Sequence, residues 1–158
     1  ASAAQASRAE RGAVLMRRIA KDTGRDRDPV LRQRLAESYM LDEIGRMMSL
    51  RTKQLRSAGR PLDGDGNLAK LQMSRVLRHG RDLGLELIGP WGMIMGEDTP
   101  GEGNFQEASL WAPGPSIYGG SDEIQKNIIG ERVLGLPKEP GPDKNTPFKD
   151  LAVGTQKS

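Results

Sequence analysis

Two glycines, a hydroxyl and two carboxylates follow one another at Gly119-Gly120-Ser121-Asp122-Glu123, and an apolar helical period starts behind them with Ile124, Ile128, Ile129 and Val133. Paired glycines let a ligand approach the backbone without meeting a Cβ. Ser121 is placed to cap the helix, and the first amides of that helix would point at whatever lies in front of it. A polar or anionic group of a cofactor suits such a mouth.

The other reactive side chains are less well arranged. His79 is the only histidine, and with no cysteine and no adjacent serine to form a relay or metal site it reads as a solvated or bundle-facing side chain. Asp63, Asp65 and Asn67 have the alternate spacing of a calcium loop, but Leu68 stands where a glycine is needed and Ser74 where a bidentate glutamate belongs. We read this stretch as a loop closed by a helix cap at Asn67 or its neighbours, and expect no metal site.

The elements that would carry these residues are helical. Strong helix formers run from Ala3 to about Asp22, with Val14, Leu15 and Ile19 as a short apolar face, and Gly24 breaks the run. Asp28 and Pro29 then form a helix start. Leu31, Leu35, Tyr39, Met40, Ile44, Met47, Met48 and Leu55 recur behind it at helical spacing, with Asp42 and Arg46 placed to pair on the outside. Gly59 and Pro61 close this element. Leu68, Leu71, Val76, Leu77, Leu83, Leu87 and Ile88 describe a third helix, ended by Gly89-Pro90. The glycine- and proline-rich stretch up to Gly120 is expected to be a functional loop, with room for a short helix around Phe105 to Trp111. With the helix after Gly120 as the fourth, the expected fold is an all-α, up-down four-helix bundle over residues 1–137, followed by a tail over 138–158. Met40, Met47, Met48, Met73, Met93 and Met95 are expected as core filler.

The 158 residues suffice for one domain. Aromatics make up only 4%, so Leu, Ile, Val, Met and Ala must build the core, which suits packed helices. The formal charge of +3 arises from interspersed cations and anions rather than from one basic face. With aromatics so scarce, a basic helical module binding nucleic acid is the disfavoured alternative. No apolar run is long enough to span a bilayer, and neither cysteines nor a leader are present, so no membrane partner and a cytoplasmic location are expected.

The run from Ser116 to Pro137 resembles the C-terminal signature of the acyl-CoA dehydrogenase family, a Tyr-(Glu or Gly)-Gly-(Thr or Ser)-x-x-Ile-Gln segment that abuts FAD. The likeness continues through Glu131-Arg132-Val133-Leu134-Gly135-Leu136-Pro137. It implies α,β-dehydrogenation of an acyl-CoA thioester to the enoyl-CoA, electrons passed to an electron-transfer flavoprotein, and a dimeric or tetrameric assembly of like or unlike chains. By position it assigns FAD contacts to Gly120, Ser121, Asp122, Glu123 and Gln125. A second family element, Gln-x-x-Gly-Gly-x-Gly, reaches the flavin of a neighbouring subunit and corresponds to Glu86-Leu87-Ile88-Gly89-Pro90-Trp91-Gly92, with Glu for Gln and Pro for the second Gly; the resemblance implies cofactor contacts at Glu86 and Gly89, against a plain bundle-end turn. In place of the family's diphosphate-gripping Arg-x-(Thr or Ser)-Phe segment the chain has Thr23-Gly24-Arg25-Asp26-Arg27-Asp28-Pro29, in which Arg25 or Arg27 is the phosphate partner the resemblance implies and a solvated turn is the alternative.

One departure concerns the catalytic base. Many members carry a glutamate between the tyrosine and glycine of the signature, where this chain has Gly119, and glycine accepts no proton. Other members supply the glutamate from the first helix of this domain in a Glu-Arg context, which Glu10-Arg11 matches. Glu10 stands about three helical turns too near Arg25 for that role. A base upstream of Ala1, or one lent by a partner chain in a heteromeric dehydrogenase, is the alternative. The family's other two domains are missing here, so the isolated fragment is expected to be inactive.

Overall fold

In the computed structural model, which describes residues 12–138 and 146–151, the described chain is entirely helical. Helix α1 spans Ala13–Asp22, α2 Pro29–Ser57, α3 Asp65–Ile88, α4 Asn104–Trp111 and α5 Asp122–Ile128. The last continues as one π-helical turn over Ile129–Val133, and short 3-10 turns lie at Arg25–Arg27, Gly89–Met93, Gly114–Ser116 and Phe148–Asp150.

Local chemistry sets the boundaries. The Asp28 carboxylate accepts from the Val30 and Leu31 amides at 2.8 and 3.2 Å, and Pro29 occupies the first turn, as the sequence predicts. Helix α2 ends in a Schellman turn: Arg60 N–H donates to the Leu55 carbonyl and Gly59 N–H to that of Arg56, with Gly59 at φ 63°. The expected helix over Phe105 to Trp111 is present as α4. Helix α1 starts after Gly12, where Asp42 of α2 accepts from Ala13 N–H at 2.7 Å. Whatever of the expected first helix lies in 3–11 falls outside the described residues.

Helix α3 is the axis, packing against α1, α2, α4 and α5. The core consists of Leu15, Met16, Ile19 and Ala20 of α1, Leu31 of α2, Leu83, Leu87 and Ile88 of α3, and Phe105 of α4. Close packing of α4 on α3 depends on Gly84, where a Cβ would stand 2.1 Å from the Phe105 ring.

Several expectations are corrected. Helix α3 begins at Asp65 without a side-chain cap, three residues before the expected apolar start. Asn67 lies inside it, and its amide reaches Gln125 instead. Arg46 pairs with Glu43 one turn away, because Asp42 is committed to Ala13. The apolar stripe of α2 is largely solvent-facing beyond Leu35, with Tyr39 61% and Met47 57% exposed. Most of the methionines expected as filler follow it outward, Met93 reaching 89% exposure, while Met16 is the methionine that packs in the core. In α5 the residues turned inward are Asp122 and Gln125, while Ile124 is half exposed.

Candidate functional site

The turn at Gly119-Gly120 is held in place from α3. Lys70 and Arg78 reach the Asp122 carboxylate at 3.1 and 2.6 Å, and Arg78 also donates to the Ser116 hydroxyl. Ser74, fully buried between them, donates to the Pro115 carbonyl at 3.3 Å. Burial pushes the Asp122 carboxyl upward, but hydrogen bonds from Arg78, Lys70 and Ser74 outweigh it and hold the group well below the ordinary carboxylate range. Asn67, one turn before this row, donates to Gln125 Oε1 at 2.6 Å.

Gln125 turns that support into a shaped backbone. Its Nε2 donates to the Gly119 carbonyl at 2.8 Å and lies 3.3 Å from that of Gly120. Gly119 and Gly120 have φ of 65° and 88°, a left-handed region that side chains disfavour. A Cβ on Gly120 would lie 2.8 Å from Gln125 Nε2, whereas the place of a Cβ on Gly119 is open. With both carbonyls turned to Gln125, the N–H groups of Gly119, Gly120 and Ser121 have no acceptor among the described residues. A row of free backbone donors of this kind fits the polar and anionic oxygens of a nucleotide cofactor. Ser121 Oγ accepts weakly from Ile124 N–H at 3.4 Å and caps α5. Glu123 is exposed, its carboxyl held below the usual value by its own backbone amide and then by Ser121. Around the turn, Ile117 is 71% exposed and the Tyr118 ring leans on Trp111 with centroids 6.2 Å apart.

The other candidates form a second corner. Arg25 lies half-buried over the end of α3, its Nη2 2.9 Å from where a Cβ on Gly89 would be, and it has no acidic partner among the described residues. Glu86 is paired with Arg34 of α2. Gln106 of α4 fastens the turn after Gly89 by donating to the Trp91 and Ile94 carbonyls at 3.0 and 2.8 Å. Gly89 lies eleven residues beyond Arg78 along α3, roughly 16 Å at helical rise. The predicted residues therefore gather in two places rather than one. Glu10 lies outside the described residues.

Sequence reasoning named Asn67 only as a helix cap and Ser74 only as a residue that a calcium loop could not use, and it passed over Lys70 and Arg78. The signal was present in their spacing of three and four residues, which draws a polar row down one face of a helix otherwise patterned by leucines.

Comparison with known proteins bears on this arrangement. Residues 1–134 match the family model described as acyl-CoA dehydrogenase, C-terminal domain. Over 121 residues the chain is 36% identical to acyl-CoA dehydrogenase IpdE1 of Mycobacterium tuberculosis and 35% identical to IpdE1 of Mycolicibacterium smegmatis. The match covers 77% of this chain but only 30% and 29% of those relatives. Among solved structures, the fold is similar to one described as Tcur3481-Tcur3483 steroid ACAD, with TM-score 0.69 at 20% identity over 79% of this chain and 34% of that one. It is also similar to the ChsE4-ChsE5 complex from Mycobacterium tuberculosis, with TM-score 0.63 at 18% identity over 80% of this chain and 37% of that one.

Proposed function

The chain belongs to the acyl-CoA dehydrogenase family, matching its C-terminal domain, and from this premise we propose that it supplies the flavin-facing helical domain of an FAD-dependent acyl-CoA dehydrogenase. The observation that carries the proposal is the row of free N–H donors at Gly119, Gly120 and Ser121 on a turn whose carbonyls are engaged from behind. These donors, with the Ser121 hydroxyl, would hold polar atoms of FAD. Asp122 and Gln125 serve the same site from inside, as the supports of the turn. Arg25, beside Gly89, would offer its charge to a phosphate at the second corner, the one the family directs at a neighbouring subunit. When bound, FAD supplies the acceptor for the β-hydride as the α-proton of an acyl-CoA thioester is removed, and the electrons leave to an electron-transfer flavoprotein.

The proton must go to a carboxylate, and Gly119 provides none. In this reading the base is Glu10 on a shortened helix, or a carboxylate upstream of Ala1. A second reading is favoured by Gly119 itself and by Glu86, whose charge is committed to Arg34: the chain is the subunit of a heteromeric dehydrogenase whose partner lends the base. Glu10→Gln in the complete flavin-bound protein, purified without any second chain, separates Glu10 from the other sources, and turnover by that single chain excludes a partner's base. Loss of a catalytic base lowers kcat by about 10²–10⁴, while a base upstream of Ala1 leaves turnover within a factor of about two. Complete protein that carries no flavin absorbance and turns over no acyl-CoA with an artificial acceptor would refute both.

A further inference from the structure

We propose that Asn67 and Gln125 are positioning residues that, from behind, set the donor row of the Gly119–Ser121 turn. This deepens the flavin-facing reading above and rests on it.

The argument starts from the Gln125 amide. Two carbonyl oxygens, those of Gly119 and Gly120, face one end of it. Only an NH2 group can meet two acceptors, so the oxygen must face the other way. There it meets Asn67 Nδ2 at 2.6 Å, and the orientation of Gln125 is fixed at both ends. Gln125 is 6% exposed, so solvent does not compete for either end. With the carbonyls of Gly119 and Gly120 drawn inward, the peptide planes on either side are set, and the amides of Gly119, Gly120 and Ser121 remain available to a ligand. The approach is close enough that Gly120 has no room for a Cβ, which would sit 2.8 Å from Nε2. The Asn67 side chain hydrogen-bonds Gln125 and no atom of the turn among the described residues, so its effect on the donor row passes through Gln125.

Two substitutions of nearly unchanged size test this in the complete protein. Gln125→Glu replaces the donor with an oxygen that repels both carbonyls. Asn67→Asp removes the donor to Oε1, so the Gln125 amide turns round to donate to the new carboxylate and presents its own oxygen to the turn. Asn67 is in the first turn of α3, where a carboxylate favours the helix, so this variant retains the fold. FAD affinity is read by quenching of flavin fluorescence, together with the visible band of bound flavin and the melting of FAD-free protein. Both variants are expected to bind FAD about ten- to a hundredfold more weakly, with the flavin band displaced and with a loss of affinity larger than the accompanying loss of FAD-free stability. A Kd within twofold of the unsubstituted protein in either folded variant overturns the proposal. So does a loss of affinity that merely tracks an equal loss of FAD-free stability. If Gln125→Glu does not fold, Asn67→Asp decides alone. Unsubstituted protein that binds no FAD would instead overturn the functional reading, and this inference with it.

Discussion

Through its side chain, Asp122 shows how a signature residue can brace the turn that carries it. It sits where family resemblance places a cofactor ligand, yet its side chain is 8% exposed and closed off by Lys70 and Arg78, themselves 13% and 42% exposed. Removing the carboxylate leaves two cations facing each other over a buried gap, so Asp122→Ala is expected to destabilise the fold by about 2–4 kcal/mol. The pH dependence follows from its depressed titration. A carboxyl whose pKa is lowered by folding stabilises fully above its unfolded value, near 3.9, and loses that contribution as pH falls through the folded value. Urea unfolding of the unsubstituted chain and of Asp122→Asn should therefore differ most at neutral pH, with the gap narrowing progressively as pH falls below about 4. A gap that persists or widens in acid would contradict the assignment. The carboxylate was visible in the sequence, but its partners come from a helix some fifty residues earlier, and no local pattern joins the two.

At the scale of elements, the contact between α3 and α4 rests on a missing side chain. Gly84 lies inside α3, where alanine would raise helix propensity by about 1 kcal/mol. Phe105 fills the place of its Cβ and is itself a core residue. Crowding should win, and Gly84→Ala is expected to cost about 1–3 kcal/mol net, with Phe105→Leu in the same chain restoring part of the loss. Thermal melts of the two single variants and the double variant test this, and equal additive losses would sink it. The element boundaries were mostly legible in the sequence, since Asp28-Pro29, Gly59 and Gly89-Pro90 act through backbone geometry that each residue carries itself. The faces were less so. Periodicity marks Tyr39, Met40, Ile44 and Met47 as one apolar stripe, but not which surface covers it, and among the described residues none does. In α5 the same reasoning chose the isoleucines, whereas Asp122 and Gln125 turn inward because α3 presents a polar row to receive them.

For the molecule as a whole, the uncovered surfaces say what one chain can do alone. The donor row at Gly119–Ser121 lies on an open turn, next to Ile117 and Tyr118, which are 71% and 49% exposed. A site that holds a cofactor of this size buries about 70–90% of its surface. In the proposed reading this turn is one wall of such a site, and the chain spans about 30% of the length of the relatives it matches. The polar contacts that the turn offers are few and wet, and each contributes only about 0.5–1.5 kcal/mol net. Against the cost of immobilising a ligand, such contacts leave an affinity no tighter than about 100 μM. The isolated chain is therefore expected to bind FAD too weakly to copurify with it and to turn over no acyl-CoA. Titrating FAD into it, first alone and then with the remaining two-thirds of a family member or the natural partner chain supplied, should show affinity rising by at least about a hundredfold and a flavin that acyl-CoA can bleach. Tight FAD binding by the isolated chain would mean that one wall suffices, and would move the origin of affinity from enclosure to the turn itself.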